Sequence, residues 1–163
     1  MLIKKTCEFI VITIKKIILK VKYKNKIIIG KKVYWRSNLN IRIEKNGKVI
    51  LGNSCFFNNN CSITCQNYIK IGRNTIIGED VKIYDHNHIF NKRQTIANQG
   101  FNTDKVIVGN NCWIGSNVIL LKGTVIGNNC VVAAGSIISS VIPNNSIVKN
   151  NRNISIEKIK FRD

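Results

Sequence analysis

The chain has 163 residues, 44% of them hydrophobic, and a formal net charge of +18 at pH 7. This length predicts one domain with a real core, and the abundance of Ile and Val favours strands over helices. Basic residues concentrate in residues 1–48, which hold 14 Lys and Arg against 2 Glu. Such a basic arm can bind nucleic acid or an anionic membrane face, but no signature of a nucleic-acid-binding module is present, so we expect no nucleic-acid partner.

Residues 2–22, LIKKTCEFIVITIKKIILKVK, predict an amphipathic helix. The longest apolar run, FIVITI, is far shorter than the ~20 residues that span a bilayer. Lys15 and Lys16 interrupt any signal-peptide core, so we expect a cytoplasmic protein with free thiols. We expect the apolar face to pack on its own protein, with peripheral contact to the inner face of a membrane as the alternative. Helical spacing assigns this face to Ile3, Cys7, Ile10, Ile14, Ile17, Ile18 and Val21.

A six-residue period runs through most of the remaining chain. Large aliphatic or aromatic residues follow one another at intervals of six in three runs: Leu51, Phe57 and Ile63; Ile71, Ile77 and Ile83; and Val108, Ile114, Leu120, Ile126, Val132 and Ile138. The fourth place after many of them is small or medium-sized, and the cysteines found there are Cys55, Cys61, Cys112 and Cys130. The period breaks at length only between Ile83 and Val108.

This period predicts a parallel β-helix with three short strands per coil of about 18 residues. The aliphatic residues and the four cysteines fill the interior, and Gly and Asn allow the backbone to turn at the corners. The predicted fold class is therefore all-β. We expect an N-terminal helix or basic arm at 1–28, the β-helix at 29–145 with a loop at 84–107, and a short tail at 146–163.

The block VIVGNNCWIGSNVILLKGTVIGNNCVVAAGSIISSVIPNN (106–145) resembles the hexapeptide-repeat acyltransferases. The similarity is to the branch of galactoside, maltose and polysaccharide O-acetyltransferases, and it covers roughly residues 50–145. The resemblance implies a left-handed coil, which periodicity cannot show because parallel crossovers are usually right-handed. It also implies acetyl-CoA as donor, no required metal, and a homotrimer with active sites between subunits.

In that family a loop that interrupts the repeats carries a histidine acting as general base. Matching VKIYDHNH to the family pattern puts His88 in that place, with His86 as the fallback because residues two apart in an extended segment share a side. Asp85, Glu79 and Asp80 are near enough in sequence to orient the histidine, and none is favoured.

Further site residues are also implied by the resemblance. An asparagine that helps to hold the acceptor or the acetyl group corresponds to Asn58, with Asn60 as the near alternative. The coenzyme A groove corresponds to Trp113, Ser116, Ala134, Ser139 and Ser140, and the adenosine phosphates would meet Lys149 and Arg152. The sequence departs from the family after the last coil, where IVKNNRNISIEKIK lacks the usual Gly and Pro.

The predicted function is acetyl-CoA-dependent O-acetylation of a sugar hydroxyl on a polysaccharide, a lipid-linked sugar or a small saccharide. An imidazole can take the hydroxyl proton at neutral pH, which contributes ~10²–10⁴ in rate. No Gly-x-Ser-x-Gly motif is present and the cysteines are assigned to the interior, so we expect direct transfer.

Three alternatives remain open. The first is a sugar-nucleotide N-acyltransferase. The second is a zinc protein of the γ-carbonic-anhydrase type, although such a site wants three protein histidines and the chain has two. The third is a non-catalytic basic binding protein.

Overall fold

The computed structural model describes residues 2–150, and the side chains of the first helix from Ile10 onward. That part contains a helix, α1 (Leu2–Tyr23), two 3₁₀ turns (Lys24–Lys26 and Ile96–Asn98) and short strands. In chain order the strands are β1 (Ile27–Ile29), β2 (Tyr34–Trp35), β3 (Asn40–Ile43), β4 (Lys48–Leu51), β5 (Phe56–Phe57), β6 (Ser62–Cys65), β7 (Tyr68–Ile71), β8 (Ile76–Ile77), β9 (Lys82–Tyr84), β10 (His86–His88), β11 (Phe101–Thr103), β12 (Val106–Val108), β13 (Trp113–Ile114), β14 (Ile119–Leu120), β15 (Val125–Ile126), β16 (Val131–Val132), β17 (Ile137–Ile138), β18 (Val141–Ile142) and β19 (Ile147–Val148).

All strands except β10 and β11 form three parallel sheets. Sheet A has the order β1-β4-β7-β12-β15-β18, sheet B the order β2-β5-β8-β13-β16-β19, and sheet C the order β3-β6-β9-β14-β17. Successive strands pass from sheet A to B to C and back to A, so three strands make one coil and each strand pairs with its counterpart in the next coil. The parallel β-helix predicted from the six-residue period is confirmed.

The interior is the one that the period predicts. The aliphatic and aromatic residues at six-residue intervals are buried from Leu51 to Ile138, and so are Cys55, Cys61, Cys112 and Cys130. Like residues stack on like, because Ile114 pairs with Val132 and Leu120 with Ile138 in adjacent strands. A cysteine that the pattern did not assign to the interior, Cys65, is also fully buried.

The coil length varies more than the expected 18 residues. Eighteen residues separate partners in the C-terminal half, such as Ile114 and Val132, but the early coils are longer. Ile41 pairs with Ile63, 22 residues on, and Ile63 pairs with Ile83, 20 residues on. The extra residues lengthen sheet C, where β3 and β6 each have four residues and point two of them inward.

Asparagines and glycines make the corners for two different reasons. Asn111, Asn117 and Asn129 have positive φ values of 54°, 58° and 56°, a left-handed conformation that asparagine tolerates better than most residues. Gly109 is needed because successive coils approach closely there: a Cβ atom at this position would lie 2.4 Å from the carbonyl oxygen of Gly127.

The helix packs with a face other than the predicted one. Ile12 and Tyr23 are buried, Leu19 packs against the same core, and the Tyr23 hydroxyl donates a hydrogen bond to the carbonyl oxygen of Ile41 at 3.0 Å. The predicted packing face is instead exposed at Ile10, Ile14, Ile17, Ile18 and Val21. That prediction was wrong; its members Ile3 and Cys7 lie outside the described side chains.

The domain boundaries shift by a few residues. The helix ends at Tyr23, and β1 at Ile27–Ile29 already belongs to sheet A, so the solenoid starts within the predicted arm. At the other end β19 extends the solenoid to Val148, inside the predicted tail, whose residues from 151 onward lie outside the described part. Among the described residues, no helix combines the length and apolarity needed to cross a membrane.

Candidate active site

A β-hairpin interrupts the solenoid where the sequence predicts a loop. The chain leaves sheet C after Tyr84 and enters sheet A at Val106, so that Ile71 pairs with Val108, 37 residues later. Between these points β10 and β11 pair in antiparallel fashion, with His86 opposite Thr103 and His88 opposite Phe101. The hairpin therefore projects from the corner between sheets C and A and carries both histidines.

The two histidines lie on the same side of the hairpin, as the extended spacing predicts. The ring of Phe101 contacts both: its centroid lies 5.1 Å from that of His86 and 4.5 Å from that of His88. His88 is exposed, whereas the side chain of His86 is only 13% exposed. The sequence analysis missed Phe101, since its contact depends on the pairing register of the hairpin.

A fully buried carboxylate, Asp85, orients one of the histidines. Its oxygens accept hydrogen bonds from the backbone N–H groups of Gln66 (2.8 Å) and Asn67 (2.7 Å) and from the Cys65 thiol (3.2 Å). Asp85 Oδ1 also lies 2.9 Å from Nδ1 of His86. With Nδ1–H donating to the carboxylate, Nε2 of His86 is left as the acceptor nitrogen. Of the three acids left open, the structure thus places Asp85 against a histidine, but against His86 rather than His88.

His88 lines a cavity of about 360 Å³ at the outer part of the hairpin. The remaining lining residues are Asn87, Ile89, Phe90, Asn91, Asn102 and Lys122. Lys122 comes from the coil above the hairpin and brings a positive charge to the same cavity as the imidazole. Such a cavity, with one imidazole, one ammonium group and several amides, can hold an anionic or polyhydroxylated ligand.

Asn58 occupies a different corner of the solenoid from the histidines. It follows β5, between sheets B and C, where its Oδ1 accepts from the backbone N–H of Asn59 at 3.0 Å. The four-residue face of β6 separates this corner from the hairpin, so one chain does not bring Asn58 and His88 together. The alternative, Asn60, has a structural role, because it turns the corner at φ 58° and accepts from Asn38 Nδ2 at 2.9 Å.

A groove of about 740 Å³ lies beside Asn58, and the sequence analysis did not find it. Tyr34 and Phe56 stack across adjacent coils with centroids 6.0 Å apart and an interplanar angle of 6°. The Arg36 guanidinium lies 6.0 Å from the Phe56 centroid, and Ser37 and Asn59 complete the lining. Aromatic faces together with an arginine and amides form a surface suited to sugar rings and anionic groups.

The residues predicted for coenzyme A fall on two edges of the solenoid. Trp113 is 56% exposed on the outer face of sheet B. Ser116 and Ala134 lie at the next corner, where the coils are joined by the Gly135 N–H bond to the carbonyl oxygen of Ser116 (2.8 Å).

The remaining coenzyme A residues lie elsewhere. Ser139 and Ser140 are exposed at the corner between sheets C and A, one coil above Lys122. Lys149 is exposed after β19, and Arg152 lies outside the described residues.

The buried cysteines are poor nucleophiles. Burial raises the pKa of the Cys55, Cys61 and Cys112 thiols. Burial, and then the Asp85 carboxylate, raise the pKa of Cys65 to about 12. Because the thiolate is the reactive form, these four thiols are held in their unreactive form at neutral pH. Within residues 2–150, no three His, Cys, Asp or Glu side chains are grouped so that they could hold a metal ion.

Comparison with known proteins agrees with this geometry. Residues 105–140 match the family "Bacterial transferase hexapeptide (six repeats)". The Escherichia coli protein WbbJ, provisionally named a lipopolysaccharide biosynthesis O-acetyl transferase, is 34% identical over 88 residues, which are 49% of this chain and 45% of WbbJ. The galactoside O-acetyltransferase of Escherichia coli is 30% identical over 95 residues, which are 58% of this chain and 46% of that protein. The chain thus spans slightly less than half the length of these curated relatives.

A solved structure extends the similarity to most of the fold. The maltose O-acetyltransferase from Clostridium difficile 630 superposes with a TM-score of 0.67 and 29% identity, covering 87% of this chain and 75% of that one. The repeat, the family match and this superposition together make the chain a member of the hexapeptide-repeat family with the left-handed parallel β-helix fold.

Proposed function

We propose that this protein transfers an acetyl group from acetyl-CoA to a hydroxyl group of a sugar. The observation that carries the proposal is the hairpin, which places two histidines on one side at the long break in a hexapeptide solenoid. The names of the galactoside and maltose O-acetyltransferases support the reaction type and the sugar acceptor. The sugar itself is taken to be part of a polysaccharide, a lipid-linked saccharide or a small saccharide.

In the proposed reaction His88 is the general base, because its exposed ring lines the hairpin cavity. The imidazole takes the proton from the acceptor hydroxyl while the hydroxyl oxygen attacks the thioester carbonyl carbon. The tetrahedral intermediate then collapses, the C–S bond breaks, and the leaving thiolate takes the proton from the imidazolium. No acyl-enzyme is required, which agrees with the raised pKa values of the buried thiols.

The Asp85–His86 pair makes His86 a second candidate for the base. Its Nδ1–H is held by a fully buried carboxylate, the arrangement that fixes the tautomer and direction of a catalytic imidazole. With His88 as the base, the same pair anchors the hairpin and holds Phe101 against His88. Separate replacement of the two histidines distinguishes these roles.

We propose a homotrimer as the active form. The outward residues of sheet B stack in register from coil to coil as an apolar column: Tyr34, Phe56, Ile76, Trp113, Val131 and Ile147. Ile76, Trp113 and Ile147 are at least half exposed in one chain, and exposed apolar patches of this extent usually mark interfaces. A neighbouring copy on this face would bring its hairpin towards Asn58, which a single chain keeps apart from His88.

The groove beside Asn58 is the proposed place of the acceptor. The stacked Tyr34 and Phe56 rings can lie against a sugar ring, and Arg36 can pair with a carboxylate or phosphate on the acceptor. Acetyl-CoA would then occupy the exposed residues of the C-terminal coils, including Trp113, Ser116 and Ala134. The basic helix would bring the enzyme close to a membrane on which such acceptors are assembled.

The experiment is release of free thiol from acetyl-CoA by the purified full chain, measured against a panel of neutral and acidic sugars. We expect acceptor-dependent release, and a fall in kcat of ~10²–10⁴ for His88→Ala with coenzyme A binding unchanged. Phe56→Ala should raise the KM for the acceptor more than it lowers kcat. Arg93→Ala, on the same excursion but outside the hairpin cavity, is the matched control.

Two outcomes would contradict the proposal. The first is absence of both coenzyme A binding and thiol release with every sugar. The second is full turnover by His88→Ala; if His86→Ala alone then abolished turnover, the base would be His86. Release that depends on a sugar amine rather than a hydroxyl would assign the reaction to N-acylation.

A further inference from the structure

The helix α1 presents an apolar face to solvent, which we call the outer face. Its six residues are each at least half exposed and recur over three turns, at Ile10, Val11, Ile14, Ile17, Ile18 and Val21. This spacing places them on one stripe of the helix. An exposed aliphatic stripe of this length is unusual for a chain alone in water and marks a surface that another phase or molecule covers.

The outer face cannot be relieved by rotation of the helix. The opposite face is fixed to the solenoid through Ile12, which is 3% exposed, and through Leu19. The Tyr23 hydroxyl bond to the Ile41 carbonyl oxygen fixes the end of the helix. Lys16 also lies on this side, with its ammonium 5.8 Å from the Trp35 ring, and burial, followed by the charge of Lys20, lowers the pKa of its amine. The outer face therefore points away from the protein.

Lysines border the outer face on both sides. At 3.6 residues per turn, Lys15 and Lys22 lie along one edge of the stripe and Lys20 near the other. Residues 9–43 contain no Asp or Glu and ten Lys or Arg. Long lysine side chains can keep their ammonium groups at the level of lipid phosphates while aliphatic neighbours enter the acyl region.

We propose that the outer face docks on an anionic lipid bilayer, with α1 lying in the plane of the interface. A second copy of the chain is a poorer occupant, because two outer faces in contact would bring their lysine borders together with no acidic partner. An anionic bilayer satisfies both features, since it takes up the aliphatic stripe and attracts the surrounding positive charge.

Docking by this face would determine which end of the solenoid approaches the membrane. The helix packs on the first coils, where the Tyr34–Phe56 groove also lies, so the groove would face lipid-linked rather than freely diffusing saccharides. This consequence for the acceptor rests on the proposed acetyltransferase function. The docking itself does not depend on it.

The test is sedimentation of the full chain with vesicles of phosphatidylcholine alone or mixed with phosphatidylglycerol. We expect binding to the anionic vesicles, weakening as salt is raised, and little binding to the neutral ones. The variant Ile14→Ser/Ile17→Ser/Ile18→Ser should lower the bound affinity by at least about tenfold while the circular dichroism spectrum stays that of the wild type. The matched control, Ile137→Ser/Val141→Ser, removes equally exposed aliphatic residues from the solenoid and should bind like the wild type.

Equal binding of the triple variant and the wild type, or no binding of the wild type to anionic vesicles, would overturn the proposal. So would a smaller oligomeric mass of the triple variant in light scattering, which would assign the outer face to a second copy. His88→Ala should bind vesicles normally. The triple variant should release thiol from acetyl-CoA at the wild-type rate when the acceptor is soluble, so that failure of docking and failure of catalysis are told apart.

Discussion

At the scale of single residues, the most unusual position is Asp85. It extends β9 to the inward place that Ile43 and Cys65 fill in the preceding coils, and its carboxylate is fully buried there. A buried carboxylate is costly unless it is paired, and Asp85 has four partners, including His86. The residue thus ends the regular stacking and ties the hairpin to the coil below it.

We expect Asp85→Asn to destabilise the protein by about 1–3 kcal/mol, because an amide cannot accept from all these donors at once. Turnover should fall as well, since His86 loses the group that orients it. Thermal unfolding and kcat are the measurements. Asp80→Asn is the control: Asp80 turns a corner at φ 55°, which asparagine tolerates, so its unfolding temperature should not fall. Equal losses in both variants would contradict this account.

Residue by residue, the sequence predicts the interior better than the site. A six-residue step assigns Ile114 or Cys130 to the core because inward positions repeat regardless of what surrounds them. The partner of His86 could not be assigned in this way. Asp85, Glu79 and Asp80 are all close in sequence, and only the two extra residues in each sheet C strand decide which of them turns inward.

At the scale of elements, asparagine ladders join the corners of neighbouring coils. Asn111 Nδ2 donates to Asn129 Oδ1 at 3.0 Å, and Asn129 Nδ2 donates to Asn145 Oδ1 at 3.0 Å. The neighbouring Asn128 Oδ1 accepts from the backbone N–H of Asn110 at 2.8 Å. In this pair, one asparagine turns the corner and the other caps the coil below, which explains the frequent Asn-Asn dipeptides.

Replacing Asn129 separates these two contributions. Asn129→Gly loses the ladder but keeps the left-handed corner, whereas Asn129→Ala loses the ladder and also places a Cβ in a conformation that costs about 1–2 kcal/mol. We therefore expect urea unfolding midpoints in the order wild type, Asn129→Gly, Asn129→Ala. An alanine variant as stable as the glycine variant would show that the corner conformation carries no cost.

The helix shows what periodicity leaves undecided. The spacing predicts an amphipathic helix correctly, but Ile12, Leu19 and Tyr23 form a second apolar face opposite the predicted one. The tyrosine end of that face finds the Ile41 carbonyl oxygen, which only the folded solenoid presents. A pattern confined to one element can show that a face is apolar but not which surface it meets.

At the scale of the whole molecule, the predicted site residues are spread over the solenoid. His88 projects from the corner between sheets C and A, Asn58 lies at the corner between sheets B and C, and Trp113 lies on the face of sheet B. The apolar column on sheet B is the surface on which another copy would bring the first two together. Sequence periodicity cannot predict this, because it describes one chain and the site is proposed to need two.

Mixing two inactive variants tests the shared site. His88→Ala and Asn58→Ala, each carrying a different affinity tag, are co-expressed and purified on both tags, so that every trimer contains both variants. If Asn58 of one subunit works with His88 of its neighbour, each mixed trimer has one site in three with both residues intact. We expect about one-third of the wild-type turnover, against a residual rate for either variant alone, with light scattering reporting three chains per particle. Mixed particles as inactive as their parents would place both residues of a site in one subunit, and a monomeric mass would remove the shared site altogether.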